Sequence, residues 1–84
     1  MPYCLEVSYR GMPEWPSPER FEERIEKLLR KTANGMGFGG GARDITWSFR
    51  TEKAVRNAAA KVRRYVAKEP AKVYRTANVH TFKY

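Results

Sequence analysis

Between residues 3 and 10 apolar and polar side chains alternate, with Tyr3, Leu5, Val7 and Tyr9 on one parity and Cys4, Glu6, Ser8 and Arg10 on the other. A period of two is that of a strand with one buried face, so this segment predicts a first strand. In the following GMPEWPS, Gly11, Pro13 and Pro16 deny the chain regular pairing and predict a loop. The pattern changes at Ser17, which reads as an N-cap, with Pro18 at the first helical position and Glu19 in a first turn that favours acids. Phe21, Ile25, Leu28, Leu29 and Thr32 then trace one apolar stripe. Asn34 and Gly35 are the expected stop. On the other faces Glu22, Glu23 and Glu26 come early and Arg30 and Lys31 late, and Glu23 with Lys27 and Glu26 with Arg30 have i,i+4 spacing. That surface reads as solvated.

Alternation returns at Ile45, Trp47 and Phe49, interleaved with Thr46, Ser48 and Arg50, a strong strand signal. Met36 to Arg43 is expected as a short edge strand hairpinned onto it. Thr51 caps a second helix from about Glu52 to Lys68, with Pro70 beyond it as a stop. At 100° per residue Val55, Ala58, Ala59, Val62, Tyr65 and Val66 fall on one side of that helix, and Lys53, Arg56, Lys61, Arg63, Arg64 and Lys68 on the other. The tail AKVYRTANVHTFKY, rich in β-branched and aromatic residues, predicts a long final strand. Its mixed parity predicts a bulge or bend near Thr76 to Asn78.

The resulting order, βαββαβ, resembles the split βαβ arrangement of ferredoxin-like folds, an α+β sandwich with an antiparallel sheet and two helices packed on one face. Tyr3, Leu5, Val7, Ile45, Trp47 and Phe49 are expected to point inward. The outer sheet face is expected to carry Cys4, Glu6, Ser8, Thr46, Ser48 and Arg50. Eighty-four residues with 42% hydrophobic content allow one thin core, so a single domain spanning residues 1–84 is expected. No apolar run approaches the roughly 18 residues of a membrane span, and the N-terminus lacks the features of a secretory signal, so a soluble, cytoplasmic protein without a membrane partner is expected. A lone Cys4 forms no intramolecular disulfide, and His80 alone does not complete a zinc set, so neither metal nor cofactor is expected. Cys4 itself reads as a half-buried strand residue rather than a reactive thiol.

Charge changes the picture most. The chain carries 17 Lys and Arg against 9 Asp and Glu, a net charge of +8. Residues 1–42 hold six bases and six acids, whereas residues 43–84 hold eleven bases and three acids, so all the net charge lies in the second half. An excess of this kind favours anionic partners.

The run from Gly35 to Gly40 formally satisfies G-x-G-x-x-G, but it leaves a helix and leads into a strand, the reverse of a dinucleotide site, and no Gly-Lys-Ser/Thr follows to make a phosphate loop. It reads as a structural loop or weak edge strand. RNA-recognition motifs share the βαββαβ order, yet they stack bases on aromatics of the open sheet face; here Trp47 and Phe49 share the face of Ile45. The arginine-bearing loop of an acylphosphatase is absent after the first strand, where GMPEWPS stands. His80 has no nucleophile or acid nearby in sequence, and Asp44 beside Arg43 reads as a turn or ion-pair residue, so no enzymatic role is expected.

The basic helix face carries the functional expectation. Lys53, Arg56, Lys61, Arg63, Arg64 and Lys68, extended by Lys72 and Arg75 toward the last strand, would neutralise phosphates of RNA or DNA largely without reading sequence. The alternative is a regulatory or inhibitory module that docks on an acidic protein, or that pairs through a glycine-rich edge at Gly37, Gly39 and Gly40, as a monomer or an edge-strand homodimer, with Trp15 as an anchor.

Overall fold

The computed structural model of the chain describes residues 3–11, 17–39 and 42–83. The elements run β1 (Tyr3–Arg10), α1 (Pro18–Leu29), β2 (Gly35–Gly39), β3 (Ala42–Phe49), α2 (Glu52–Val66), α3 (Lys72–Arg75) and β4 (Asn78–Lys83). The strands pair antiparallel throughout, in the order β2-β3-β1-β4, making an α+β fold. Leu5 lies opposite Trp47 and Val7 opposite Ile45, and all four are fully buried. The alternation of β1 and β3 thus selects one face for the core, as the sequence pattern requires.

All three helices pack on that face. Tyr9 of β1 meets Phe21 of α1 edge-on at 5.6 Å between ring centroids and Tyr74 of α3 at 5.1 Å. Val55, Ala58, Ala59, Val62 and Val66 of α2 complete the same cluster. Each large side chain so buried contributes about 1.5–3 kcal/mol, and among the described residues only Leu28 is a large hydrophobic left substantially exposed.

The Ser17 cap forms, its Oγ accepting the Arg20 N–H at 3.3 Å. α1 nevertheless ends at Leu29, short of the expected stop at Asn34 and Gly35, because Arg30 adopts the left-handed conformation at φ 53°. The Lys31 N–H turns back to the Glu26 carbonyl at 3.1 Å, closing a Schellman-type end. The returning chain is then fastened elsewhere: Glu26 Oε2 accepts the Ala33 N–H at 2.7 Å, Trp47 Nε1 donates to the Lys31 carbonyl at 3.1 Å, and the Asn34 N–H donates to Thr46 O at 2.8 Å. These bonds replace another helical turn. Thr32 therefore lies outside the helix, and Leu28 lies off the buried stripe. The ion pairs among the described residues join Arg24 to Glu69, Arg43 to Glu22, Arg56 to Glu52 and His80 to Glu6, so the expected Glu23–Lys27 and Glu26–Arg30 pairs do not form.

In α2 the cap is Thr51, whose Oγ1 accepts the Ala54 N–H at 3.1 Å. The helix proper stops at Val66, before the expected Lys68, and the N–H groups of Lys68 and Glu69 bond back to Tyr65 O and Val66 O at 3.1 and 3.0 Å ahead of Pro70. The tail is not one long strand. Lys72–Arg75 forms the short α3, making three helices instead of two, and β4 begins only at Asn78. Tyr74 decides this: its ring stacks on Phe21 at 4.0 Å and is fully buried, which a strand continuing the sheet edge would not place there. The break expected near Thr76 to Asn78 is where α3 gives way to β4. Cys4 is fully buried rather than half-buried, flanked across the sheet by Ser48 and Phe82. Among the described residues no helix is long and apolar enough to cross a membrane.

Candidate nucleic-acid interface

With Val55, Ala58, Ala59, Val62 and Val66 turned into the core, helical geometry turns Lys53, Arg56, Lys61, Arg63 and Arg64 outward, and all are exposed, as is Lys68 just past the helix. The 15 residues of α2 span about 22 Å. Three of the cations have protein contacts. Arg56 pairs with Glu52 at 2.6 Å across one turn, both side chains being largely exposed, an arrangement worth little net stability. Arg63 Nη2 donates to the Val79 carbonyl of β4 at 3.1 Å, and Arg64 Nε to the Ala60 carbonyl at 3.4 Å. Lys53, Lys61 and Lys68 have no ion pair among the described residues.

Lys72 and Arg75, expected to extend this face toward the last strand, lie on the short helix α3 instead of on a strand. Both are exposed, and Arg75 Nη1 lies 3.5 Å from the carbonyls of Glu69 and Pro70, closing the turn that follows α2.

Of the α1 cations, read in the sequence as part of a mixed solvated face, Arg24 comes to the α2 end of the structure. On α1 Arg24 lies about 40° from Leu28 around the helix, whereas Lys27 lies about 100° from Leu28 and about 40° from Glu23, and Glu19 and Glu26 lie on the far flank. The Leu28 flank is the one facing α2: Leu28, Lys61, Arg64, Tyr65 and Lys68 line a groove of about 480 Å³ between the helices. Arg24 reaches across the same junction to the buried Glu69, at 3.8 Å. Projecting the acids and bases of α1 on a helical wheel would have revealed these positions; the interhelical groove itself needed the tertiary structure. Burial pushes the Tyr65 phenol at the groove wall up to about 12, helped by the neighbouring Glu69 and opposed by Arg24.

The other sheet face is different in kind. Cross-strand register aligns Thr46, Glu6 and His80, and next to them Asp44, Ser8 and Asn78. Glu6 and His80 approach to 3.4 Å. Gly35, Gly37 and Gly39 share this face at the β2 edge, opposite Thr46, Asp44 and Ala42. A Cβ at Gly37 would meet the carboxylate of Asp44, an exposed side chain that would have to turn aside. Gly40 and Trp15, assigned to partner binding from the sequence, lie outside the described residues. Among the described residues no three His, Cys, Asp or Glu side chains come together as a metal site. Comparison with protein-family models, with curated proteins and with solved structures returned no match.

Proposed function

We propose that the chain is a ferredoxin-like βαββαβ domain that binds nucleic acid through the cationic surface of its helical layer, without catalysis and without a cofactor. The antiparallel order β2-β3-β1-β4, with helices against one face, supports the fold reading. The observation that carries the functional reading is the row of exposed cations Lys53, Arg56, Lys61, Arg64 and Lys68 on the α2 segment, joined at the α1–α2 junction by Arg24 of α1, which reaches Glu69 at 3.8 Å. A cationic row of this kind attracts phosphates through counterion release and gives salt-dependent, largely sequence-independent affinity. The opposite face, with Glu6 and Asp44, disfavours a phosphate backbone. Cys4 is buried, which keeps its thiol from acting as a nucleophile toward a bound substrate. The proposed setting is cytoplasmic.

Fluorescence-anisotropy titration of mixed-sequence single- and double-stranded DNA and RNA at low and physiological salt tests the reading. Binding should weaken steeply with salt and weaken again in an R56A/K61A/R64A variant. No binding at low salt rejects it.

A second reading, a protein partner that adds a strand, is favoured by the position of β2 at one edge of the sheet. In that case one specific protein is retained at high salt, and oligonucleotides do not compete for it.

A further inference from the structure

The surface of α2 accounts for phosphate contacts but not for the groove beside it. That groove has an apolar floor, Leu28 and Tyr65, and three cations, Lys61, Arg64 and Lys68, along its α2 side. Leu28 is 37% exposed, in a helix whose other apolar side chains turn toward the core. Tyr65 stacks on Phe21 beneath it, with 24° between the rings and 6.4 Å between centroids, so the ring is held in a fixed orientation at the groove wall. A polyanion that offered only phosphates would gain nothing from this floor. A duplex is such a ligand along its outside, because its bases are stacked inward. An unpaired strand offers both a charged backbone and free base faces, the combination that single-strand binders meet with a cationic groove and an apolar or aromatic platform.

We infer that the α1–α2 groove is a single-strand site, in which the backbone runs along Lys61, Arg64 and Lys68 and an unpaired base lies on Leu28 and Tyr65. The inference rests on the nucleic-acid reading above and adds the state of the strand and the place of the base. Spacing is compatible with it: Lys61 and Arg64 lie one turn apart on α2, about 5 Å along its axis, and Lys68 follows just past the helix end, so the three form one row along the groove. On the open sheet face the aromatic rings, His80 and Phe82 of the edge strand β4, lie beside Glu6, with Asp44 on the neighbouring strand β3, so that platform carries acids where the α1–α2 groove carries cations.

The test compares three labelled probes of equal length and phosphate count: a thymidine homo-oligomer, an abasic oligomer, and a duplex. It is run with the wild type and with Leu28→Gln, a substitution at an exposed helical position that keeps the net charge. The base-bearing single strand should bind the wild type about tenfold tighter than the abasic strand, the scale of one base stacked on a protein surface. Leu28→Gln should remove about threefold or more of that advantage while changing abasic and duplex binding by less than about twofold. A uridine homo-oligomer run alongside separates RNA from DNA as the preferred strand. Equal affinity for base-bearing and abasic strands, or equal loss for all probes in Leu28→Gln, overturns the inference while leaving the phosphate-binding reading standing. Absence of binding to every probe at low salt removes both. If a helical peptide rich in Leu and Glu binds the wild type and not Leu28→Gln while the base makes no difference, the groove takes an acidic helix instead.

Discussion

Arg63 of α2 donates through Nη2 to the Val79 carbonyl of β4 at 3.1 Å, so a cation of the basic face is also the cover of a sheet edge. β4 is an edge strand, and an uncovered edge carbonyl is a template for pairing with another chain. Arg63→Ala should therefore weaken oligonucleotide binding less than Lys61→Ala, about twofold or under, because Lys61 lines the interhelical groove and Arg63 is partly engaged. It should also raise self-association at high protein concentration, which sedimentation velocity would register. A Lys61→Ala variant that remains monomeric while binding more weakly completes the separation of the two roles.

One ion pair with a buried acid joins α1 to the sheet. Arg43 of β3 donates through Nε to Glu22 Oε1, and Glu22 is 5% exposed despite its charge. The hydrogen bond to Glu22 also raises the Arg43 guanidinium above its ordinary range, ahead of an opposing contribution from burial. Removing one partner leaves the other charge desolvated. Glu22→Gln should cost about 1–3 kcal/mol in urea denaturation, and Glu22→Leu combined with Arg43→Met should recover most of it, as apolar replacements of buried pairs do. A double variant as unstable as the single one would contradict this account.

Arg30 holds φ at 53°, a conformation that glycine adopts without steric cost. Arg30→Gly should stabilise the domain by about 0.5–1 kcal/mol in thermal melts, a rise of several degrees in Tm for a chain of this size. A fall in Tm would mean that the arginine side chain contributes more than its backbone strain costs.

Gly11 presents the converse case, with φ at 105° and Val73 of α3 3.3 Å from the position a Cβ would take. Gly11→Ala should destabilise the chain by about 1 kcal/mol or more, and the loss should appear as loosened packing of α3 in hydrogen exchange. Unchanged exchange of the Tyr74 and Arg75 amides would show that α3 does not rest on this contact.

The elements that the sequence made readable are those in which one local rule and the tertiary outcome coincide. β1 and β3 alternate cleanly because each has one face in the core, and Ser17 and Thr51 cap their helices with side chains whose bonds are local. The helix termini were less readable because distant partners set them. α1 stops at Leu29 when Trp47 and Thr46 of β3 take up the chain that follows, and no residue near Arg30 announces that competition. Likewise Val73 and Tyr74 have strand propensity, which the stacking of Tyr74 on Phe21 overrides. The basic stripe of α2 was legible because its burial pattern repeats every helical turn. The reach of Arg24 to Glu69 was not, since it depends on which flank of α1 meets α2.

The aromatic cluster under the helices gives the domain a defined alkaline limit. Burial is the main cause that raises all three phenols: Tyr65 and Tyr74 are pushed up to about 12, and Tyr9 is raised further. Glu69 adds to the rise at both Tyr65 and Tyr74, and Tyr74 adds to it at Tyr9. Unfolding returns each phenol to water, where it ionises near 10. Between about pH 10 and 12 the unfolded chain therefore binds fewer protons than the folded one, so stability falls as pH rises. Below about pH 10 both states hold these protons, and the stabilising contribution is complete. Denaturant midpoints should accordingly be flat with pH up to about 10, as far as these groups are concerned, and drop steeply above it. The appearance of tyrosinate absorbance from the buried phenols should coincide with loss of helical circular dichroism. Tyr9→Phe should soften the drop, because the hydroxyl it removes is buried with no hydrogen-bond partner among the described residues. If tyrosinate from all five tyrosines forms near pH 10 while the helices persist, the phenols are not shielded in the way the packing of Phe21, Tyr9 and Tyr74 requires.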